Sequence, residues 1–497
     1  MNSPVYSEYS PERSGMFFGL SGAQIVGVVL SLSPLLFGVN QKNPAWLGLG
    51  AVFFAIAVFL IVVPIRGRSA LGWLGAVVLF GVGIVFKWTL WRSDAARGEF
   101  NERIDMPGVL SALEIHDGPL VGRSRVAIIQ NHASRTWAAT ARLVHPGLAM
   151  ADSMERALMG QGLVELLNAA GRGGLIDEVM FIVRTVPDDG AERQAYVRRH
   201  TNAGTPDVLR RISDDVAETV AAFGVRTEAF VTFTVTDEKL RKEAKEFASG
   251  FEGRVRAMRM IMDELEAKAR NGMRMEQVDW LSSAELAEVW RTAFAPGDRA
   301  QLVMAQAEAE VNPKVRTGVE WPLAGPSQAG LAIRHYEHDA WWSASDTIRL
   351  PGTGGVLGAL APVLMPAERG ERRCLMVSFP MMDLAKAQRK IRSAEATADM
   401  AEGVNEKLGR RVRAAEQNAM NRTRALDQKV TQGYSMIRPY AIATVTVPNS
   451  MPIAEFGRRL DSSIRSAGFS PLRLDLAQDV AFAASTVPVG ITLRRGY

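Results

Sequence analysis

The sequence of 497 residues contains a single cysteine, Cys374, and only six histidines. One cysteine excludes an intramolecular disulfide and a zinc site built from cysteines, and it is typical of a reducing compartment. Cys374 lies in the apolar segment RRCLMVSF, which predicts a buried strand rather than a nucleophilic thiol.

The sequence also lacks the common motifs for binding a nucleotide. No glycine is followed directly by lysine, and this excludes a phosphate-binding loop of the Walker type. Gly352, Gly354, Gly355 and Gly358 fit neither that loop nor the dinucleotide fingerprint, so they predict an ordinary loop. No serine lies in a Gly-x-Ser-x-Gly elbow. We therefore expect no cofactor, no metal and no enzymatic activity.

The histidines offer one candidate metal site. His335 and His338 lie close in sequence to Asp339 and Asp346, but a metal would need these side chains to converge on one face. The sequence favours a loop with polar side chains. An enzyme that uses His335 and His338 is the weaker alternative.

Positive charge is concentrated in the first part of the chain. Residues 1–97 carry seven Lys or Arg and three Asp or Glu, which leaves 51 basic and 50 acidic residues in 98–497. The near-neutral second part argues against direct contact with nucleic acid.

Two long runs without a charged residue, Phe17–Val39 and Trp46–Pro64, are the strongest feature of the sequence. Each is close to the roughly 20 apolar residues that a helix needs to cross a bilayer. A signal peptide would have a basic start and one short apolar core, whereas here the start is mixed and a second run follows. The pattern predicts a transmembrane helical hairpin.

Basic residues beside these runs predict the topology. Arg66 and Arg68 follow the second run, so the positive-inside rule places both ends of the hairpin in the cytoplasm. A third apolar run, 70–86, precedes Lys87 and Arg92. We expect a membrane-inserted or interfacial helix over 70–91, with these two cations at the level of the lipid headgroups. A third full span is left open.

The remainder reads as a soluble α/β region of the α+β kind, with residues 98–382 as its main part. Apolar periodicity predicts its elements. Strands are expected at Val126–Ile129, Trp137–Val144, Glu178–Thr185, Glu228–Thr236 (buried on one face), Tyr440–Val447 and Leu472–Leu476, and helices at Met150–Ala170, Asp207–Phe223, Asp237–Arg270, Ser282–Phe294 and Pro452–Ala467.

Residues 383–433 form a separate segment without proline. Apolar residues follow steps of three and four, among 11 Lys or Arg and 7 Asp or Glu. The pattern predicts a long helix or helical hairpin, and an intermolecular coiled coil stays open. Residues 434–497 are expected to form a β-α-β unit that completes the soluble domain.

Short motifs at both ends resemble parts of conjugative type IV secretion systems. Gly19, Leu20, Ser21 and Gln24, with the basic exit after the second run, resemble the entry of the small two-helix inner-membrane subunit. The segment Tyr434–Gly490 resembles the end of the N-terminal, non-motor domain of the secretion ATPase. The layout resembles actinobacterial membrane proteins of integrative conjugative elements, which join these two parts.

This resemblance implies a membrane-anchored, non-catalytic scaffold in a DNA-transfer apparatus. Its partners would be the lipid bilayer, a separate secretion ATPase and other channel subunits, and a homo-oligomer is left open. The C-terminal region would lie in the cytoplasm at the inner membrane. The alternative is a membrane-tethered DNA-binding or regulatory scaffold outside secretion.

Overall fold

The structure is a computed structural model. It describes residues 5–6, 22–41, 43–62, 64–65, 68–85, 90–99, 103–122, 124–145, 147, 151–202, 204–349, 355–383, 387–389, 391–392, 427–432 and 434–493. Two compact units are present: a large unit of 1–7, 89–381 and 439–496, and a small unit of 8–88 and 382–438. The predicted domain boundaries 1–97, 98–382, 383–433 and 434–497 stay predictions.

The described part of the chain contains short and long strands. They are β1 (Val5–Tyr6), β2 (Pro64–Ile65), β3 (Arg68–Ser69), β4 (Trp91–Arg92), β5 (Leu113–Val121), β6 (Ser124–Asn131), β7 (Thr136–Val144), β8 (Glu178–Pro187), β9 (Val225–Thr236), β10 (Gln277–Trp280), β11 (Gln328–Ala329), β12 (Tyr336–His338), β13 (Trp341–Arg349), β14 (Gly355–Val356), β15 (Arg372–Met382), β16 (Met436–Ile437), β17 (Tyr440–Pro448) and β18 (Ser470–Arg473).

The helices of the same described residues belong to both units. They are α1 (Gly22–Ser31), α2 (Ser33–Asn40), α3 (Pro44–Val62), α4 (Ala70–Val85), α5 (Asp94–Arg97), α6 (Ser153–Arg172), α7 (Ala191–His200), α8 (Asp207–Phe223), α9 (Asp237–Ala244), α10 (Gly250–Met273), α11 (Ser283–Phe294), α12 (Arg299–Ala309), α13 (Trp321–Ala324), α14 (Ile453–Ser466) and α15 (Gln478–Thr486). Short 3-10 turns lie at Gly108–Ala112, Pro296–Asp298 and Ala361–Leu364.

One described helix of the small unit, α3, is long and apolar enough to cross a membrane. The first apolar run forms two shorter helices instead, because the helix is interrupted at Leu32, just before Pro34. The helix of the third run, α4, has 16 residues. The described residues therefore give one candidate span, which supports membrane association but not the two full spans of the predicted hairpin.

Glycines let α2 and α3 approach each other closely. A Cβ on Gly38 would lie 2.8 Å from the backbone of Leu47, and one on Gly50 would lie 2.8 Å from the backbone of Leu35. Small residues at a helix contact are the usual means of packing apolar helices in a lipid environment. Further along, Gln24 Nε2 donates a hydrogen bond to the carbonyl oxygen of Ile61 at 2.8 Å.

The large unit is built on one antiparallel sheet. Its strands follow the order β4-β11-β12-β13-β17-β15-β8-β9-β7-β6-β5, with β10 beside β7 and β18 beside β13. The predicted strands in 126–144, 178–185, 228–236 and 440–447 are confirmed, and the soluble α/β region is thereby supported.

The central strands are buried on both faces. The prediction that β9 is buried on one face only was therefore wrong. Phe233 and Val235 are fully buried, as expected, but Thr232 and Thr234 on the opposite face are also buried. Thr232 Oγ1 pairs with Thr140 Oγ1 at 2.9 Å, and Thr140 donates to the carbonyl of Pro488. A hydroxyl that hydrogen-bonds inside the protein can be buried at little cost, so the alternation of threonine and apolar residues misled the prediction.

Helices cover both faces of β17. Its residues Ala441, Ala443, Val445 and Val447 share a core with α14, whereas Thr444 points the other way and hydrogen-bonds Ser485 of α15 at 2.6 Å. The predicted β-α-β unit is present, but its strands are not neighbours. Both β17 and β18 pair antiparallel with β13, and β18 ends at Arg473 rather than Leu476.

Helix ends follow local chemistry. Ser282 caps α11 and forms a reciprocal capping box with Glu285. The single helix predicted over 237–270 is instead two helices, α9 and α10, which meet at Lys245–Ser249. The apolar residues keep their helical spacing through this break, so the sequence pattern did not reveal it. Most of 383–433, including 393–426, lies outside the described residues, and its predicted helix or coiled coil stays a prediction.

Candidate interaction surface

The predicted histidine cluster does not assemble into a metal site. His338 is fully buried, with Nδ1 2.8 Å from the carbonyl oxygen of Phe294 and Nε2 2.8 Å from Ser343 Oγ. His335 faces Glu337 instead, with Nε2 and Oε1 3.2 Å apart. These two side chains have separate partners, so nothing in their arrangement offers a shared ligand position.

The two aspartates of that cluster also have separate partners. Asp339 Oδ1 accepts hydrogen bonds from the backbone N–H groups of Ser327 and Gln328. Asp346 is fully buried beside Arg473, whose Nε lies 2.9 Å from Oδ1. Burial raises the pKa of Asp346 well above its ordinary value, and the charge of Arg473 opposes that shift.

His338 and Ser343 have the spacing of a base and a hydroxyl nucleophile, but both are sealed inside the protein. Their exposed fractions are 1% and 0%. Burial, helped by the positive charge of Arg372, lowers the pKa of His338 to about 3. Ser343 Oγ also pairs with Thr446 Oγ1 at 2.7 Å. The chain of hydrogen bonds satisfies buried polar groups, and no substrate can reach it.

Among the described residues, one group of carboxylates has metal-ligand spacing: Asp188, Asp189 and Glu192. An arginine side chain of the protein already pairs with two of these carboxylates. Arg299 Nη1 donates to both oxygens of Asp189, at 2.7 and 2.8 Å, and its Nη2 contacts Glu192. The group is therefore an ion-pair network that fixes the start of α7.

The residues expected to set membrane topology are only partly visible. Arg66 and Lys87 lie outside the described residues, and Arg68 forms part of β3. Arg92 is exposed in β4, where it pairs with Gln328 of β11. A role of these cations at the headgroups stays a prediction.

The feature that stands out in the large unit is the connection between β8 and β9. These strands are antiparallel neighbours, and two residues are enough to join such a pair. The chain instead uses residues 188–224, which contain α7 and α8; we call this segment the helical insertion. The backbone N–H of Asp188 donates to the carbonyl of Gly224 at 2.8 Å and closes its base. The pairing of β8 with β9 does not require this insertion, so its helices form an addition to the sheet.

Polar contacts hold the helical insertion in place. Arg299 anchors the start of α7, and Arg199 near its end pairs with Glu310 at 2.7 Å. Arg193 of α7 donates to the carbonyl oxygen and the hydroxyl of Ser213 in α8, at 2.8 and 3.1 Å. These contacts turn one flank of α8 toward α7.

Four apolar residues in the first part of α8 are left in solvent. Val208, Leu209, Ile212 and Val216 are 64%, 56%, 52% and 45% exposed. Their spacing of three and four residues places them on one stripe of the helix, which we call the α8 stripe. Arg210 and Asp214 lie on the opposite side. An amphipathic helix normally buries such a stripe, so the exposure of these four residues makes the α8 stripe a candidate contact surface.

The predicted helix over Asp207–Phe223 is thus confirmed, but the direction of its apolar face was not predicted. Sequence periodicity gives the stripe and cannot tell whether the protein's own core or another molecule covers it. The signal that could have been used is the polarity of the two segments that flank α7, 188–190 and 202–204, which marks an excursion from the sheet.

Comparison with known proteins identifies no family and no activity for this chain. No known protein family matches the chain. A segment of 82 residues is 34% identical to protoheme IX farnesyltransferase from Pseudarthrobacter chlorophenolicus. That match covers 16% of this chain and only 24% of the farnesyltransferase, so it shows neither a family nor an activity.

Proposed function

We propose that this protein is a membrane-anchored, non-catalytic structural subunit of a conjugative, type IV secretion-like DNA-transfer apparatus, which docks a separate ATPase at the cytoplasmic face. The observation that carries the proposal is the α8 stripe, an exposed apolar surface on a helical insertion that the fold does not require. Such a surface suits a protein that works by contact with other proteins.

The candidate catalytic groups of the described residues support a non-catalytic role. His338 and Ser343 are sealed, and Asp189 and Glu192 are paired with arginine. The alternative of an enzyme that uses His335 and His338 therefore loses its geometric basis. The alternative of a DNA-binding tether depends on the basic residues of 386–429, most of which lie outside the described residues.

The membrane arrangement is part of the proposal. Helix α3 supplies one crossing. We propose that α1 and α2 together make the return crossing, since Gly38 and Gly50 bring α2 against α3. If Arg66 and Arg68 lie on the cytoplasmic side of the membrane, the large unit would lie in the cytoplasm. A secretion ATPase could bind it there.

Affinity purification tests this function. The tagged full chain is cross-linked in membranes of its own host, solubilised in detergent and purified, and the co-purifying proteins are identified by mass spectrometry. We expect an ATPase with a Walker motif and other channel subunits. Their absence after cross-linking, together with unchanged DNA transfer when the gene is deleted, would overturn the proposal.

A matched pair of variants links the result to the surface. Leu209→Asp places a charge in the α8 stripe, whereas Leu120→Asp places it on a residue of similar exposure (64%) in the β5–β6 hairpin. We expect Leu209→Asp to lower the recovery of channel subunits and Leu120→Asp to leave it unchanged.

A further inference from the structure

We propose that the α8 stripe is covered by α8 of a second copy of this chain, packed antiparallel about a two-fold axis at Ile212. This inference deepens the function proposed above, on which it rests for the membrane setting, because it names the first contact through which a structural subunit would assemble. Apolar spacing and charge placement along α8 are the observations behind it.

Three of the four residues of the α8 stripe are arranged symmetrically about Ile212, whereas Leu209 has Asp215 at the equivalent position. Val208 and Val216 lie four residues before and after it, on the same side of the helix. In an antiparallel two-fold pair, Ile212 of one copy meets Ile212 of the other, and Val208 faces Val216 of the second copy. An isologous contact needs a surface of this kind, one that is complementary to itself.

Charges beside the stripe are arranged with the same symmetry. Arg211 and Asp215 are exposed and share one flank of the stripe. Among the described residues, neither forms an ion pair with another side chain. With a rise of about 1.5 Å per residue, the two-fold places Asp215 of the second copy about 3 Å along the axis from Arg211. An arginine side chain spans that offset, so the pair forms twice, once on each side of the axis.

The charge of α8 disfavours a lipid surface as the occupant. Helices that lie on membranes carry many Lys and Arg on their polar face. In α8 the acidic residues Asp207, Asp214, Asp215 and Glu218 outnumber the basic residues Arg210 and Arg211. An anionic bilayer would repel this helix, whereas a second α8 supplies an arginine for each aspartate beside the stripe.

One pair of helices gives a small interface. Stable dimers in solution bury at least about 1,200 Å², more than two stripes of four residues provide. Two copies held in the same membrane do not need that area, because confinement raises their effective concentration. We therefore expect self-association of the membrane-held protein.

Cysteine cross-linking tests the geometry. Cys374, the native cysteine, is buried. Cross-linking and labelling therefore report only the cysteine introduced at the surface. In the full chain in nanodiscs or native membranes, Ile212→Cys should form a disulfide-linked dimer on mild oxidation. Asp214→Cys, on the opposite side of α8, is the matched control and should stay monomeric. Labelling with a maleimide shows that both thiols are accessible. Equal cross-linking of the two variants, or none at Ile212→Cys, would overturn the proposal.

Charge reversal distinguishes a second copy from a different protein. In a dimer of Arg211→Glu, each Arg–Asp pair becomes a Glu–Asp pair, and in a dimer of Asp215→Arg it becomes a pair of arginines. Because like charges repel, both variants should self-associate at least about tenfold more weakly than the wild type. A mixture of the two restores both opposite-charge pairs and should form mixed dimers, scored with two different tags on Ile212→Cys backgrounds. If the mixture cross-links no better than either variant alone, the stripe binds another partner.

The two proposals can fail separately. Dimers at Ile212→Cys without a co-purifying ATPase would contradict the function and leave the self-contact standing. An ATPase that co-purifies with a chain that never cross-links at residue 212 would contradict the self-contact alone.

Discussion

His338 Nε2 lies 2.8 Å from Ser343 Oγ, in the buried centre of the large unit. The Nδ1 atom of the same ring faces the carbonyl of Phe294, which can only accept, so Nδ1 carries a proton. In the neutral ring, Nε2 then accepts from the hydroxyl of Ser343. This arrangement requires a neutral imidazole. Burial of the ring and the nearby charge of Arg372 lower the pKa of His338, and the hydrogen bond to the carbonyl of Phe294 opposes that shift.

The first prediction concerns stability in acid. The folded pKa of about 3 lies below the ordinary value of 6.5, so between these values the unfolded chain binds a proton that the folded protein excludes. Stability from His338 is fully present above pH 6.5 and is lost as the pH falls toward 3, by up to about 1.4 kcal/mol per pH unit. Urea unfolding at several pH values measures it.

His338→Gln is the test variant because it keeps a donor and an acceptor without titrating. The slope of unfolding free energy against pH between 6.5 and 4 should be shallower in His338→Gln than in the wild type, whatever its absolute stability. Identical slopes would show that His338 is protonated or accessible in the folded protein.

The second prediction concerns the start of α11. Ser282 Oγ accepts from the backbone N–H of Glu285, and the Glu285 carboxylate accepts from the Ser282 N–H at 2.9 Å. Ser282→Ala should lower the free energy of unfolding by about 1 kcal/mol. Ser249→Ala is the control, since Ser249 precedes α10 without a side-chain cap, and it should change stability much less.

The third prediction concerns the contact between α6 and α10. A Cβ on Gly162 would lie 2.0 Å from the carbonyl oxygen of Gly272, and backbone cannot give way as a flexible side chain can. Gly162→Ala should therefore destabilise the large unit by about 1–3 kcal/mol or more. Gly173→Ala, where the nearest atom is at 3.7 Å, should fold normally. A wild-type melting temperature for Gly162→Ala would refute this close approach.

The fourth prediction concerns α3. Ile56 lies near the middle of this helix and is 53% exposed. An arginine there costs about 2.5–3.5 kcal/mol in a spanning helix, so Ile56→Arg should move protein out of the carbonate-resistant membrane fraction. Val311→Arg, at an exposed site of the large unit, should leave that fraction unchanged. Equal membrane fractions for both variants would count against a spanning α3.

Local patterns predicted much of the fold. Ile453, Phe456, Leu460 and Ile464 follow helical spacing and are the buried face of α14. The Ser282–Glu285 cap and the strand around Cys374 can be recognised in the sequence for the same reason. The residues that determine each of them lie within a few positions of one another. The glycine stop at Gly468 has a φ of +85°, a conformation that other residues rarely adopt.

Long-range partners could not be predicted. Asp346 pairs with Arg473, far away in sequence, and Thr140 with Thr232 on another strand, so polar residues that looked exposed are core residues. The segment Ala481–Gly490 gave no sign that its first residues belong to the buried helix α15, because its small residues fit any close contact. The exposure of the α8 stripe likewise depends on which elements pack beside it.

DNA transfer itself tests the central claim most directly. In a host that lacks the gene, transfer frequency is measured after complementation with the wild type, Ile212→Asp or Leu120→Asp, at equal protein levels in the membrane. We expect the wild type and Leu120→Asp to restore transfer and Ile212→Asp to fail, because the charge disrupts assembly through the α8 stripe. Transfer at the wild-type frequency without the gene would contradict a role in the DNA-transfer apparatus, and full restoration by Ile212→Asp would contradict a role for the α8 stripe in it.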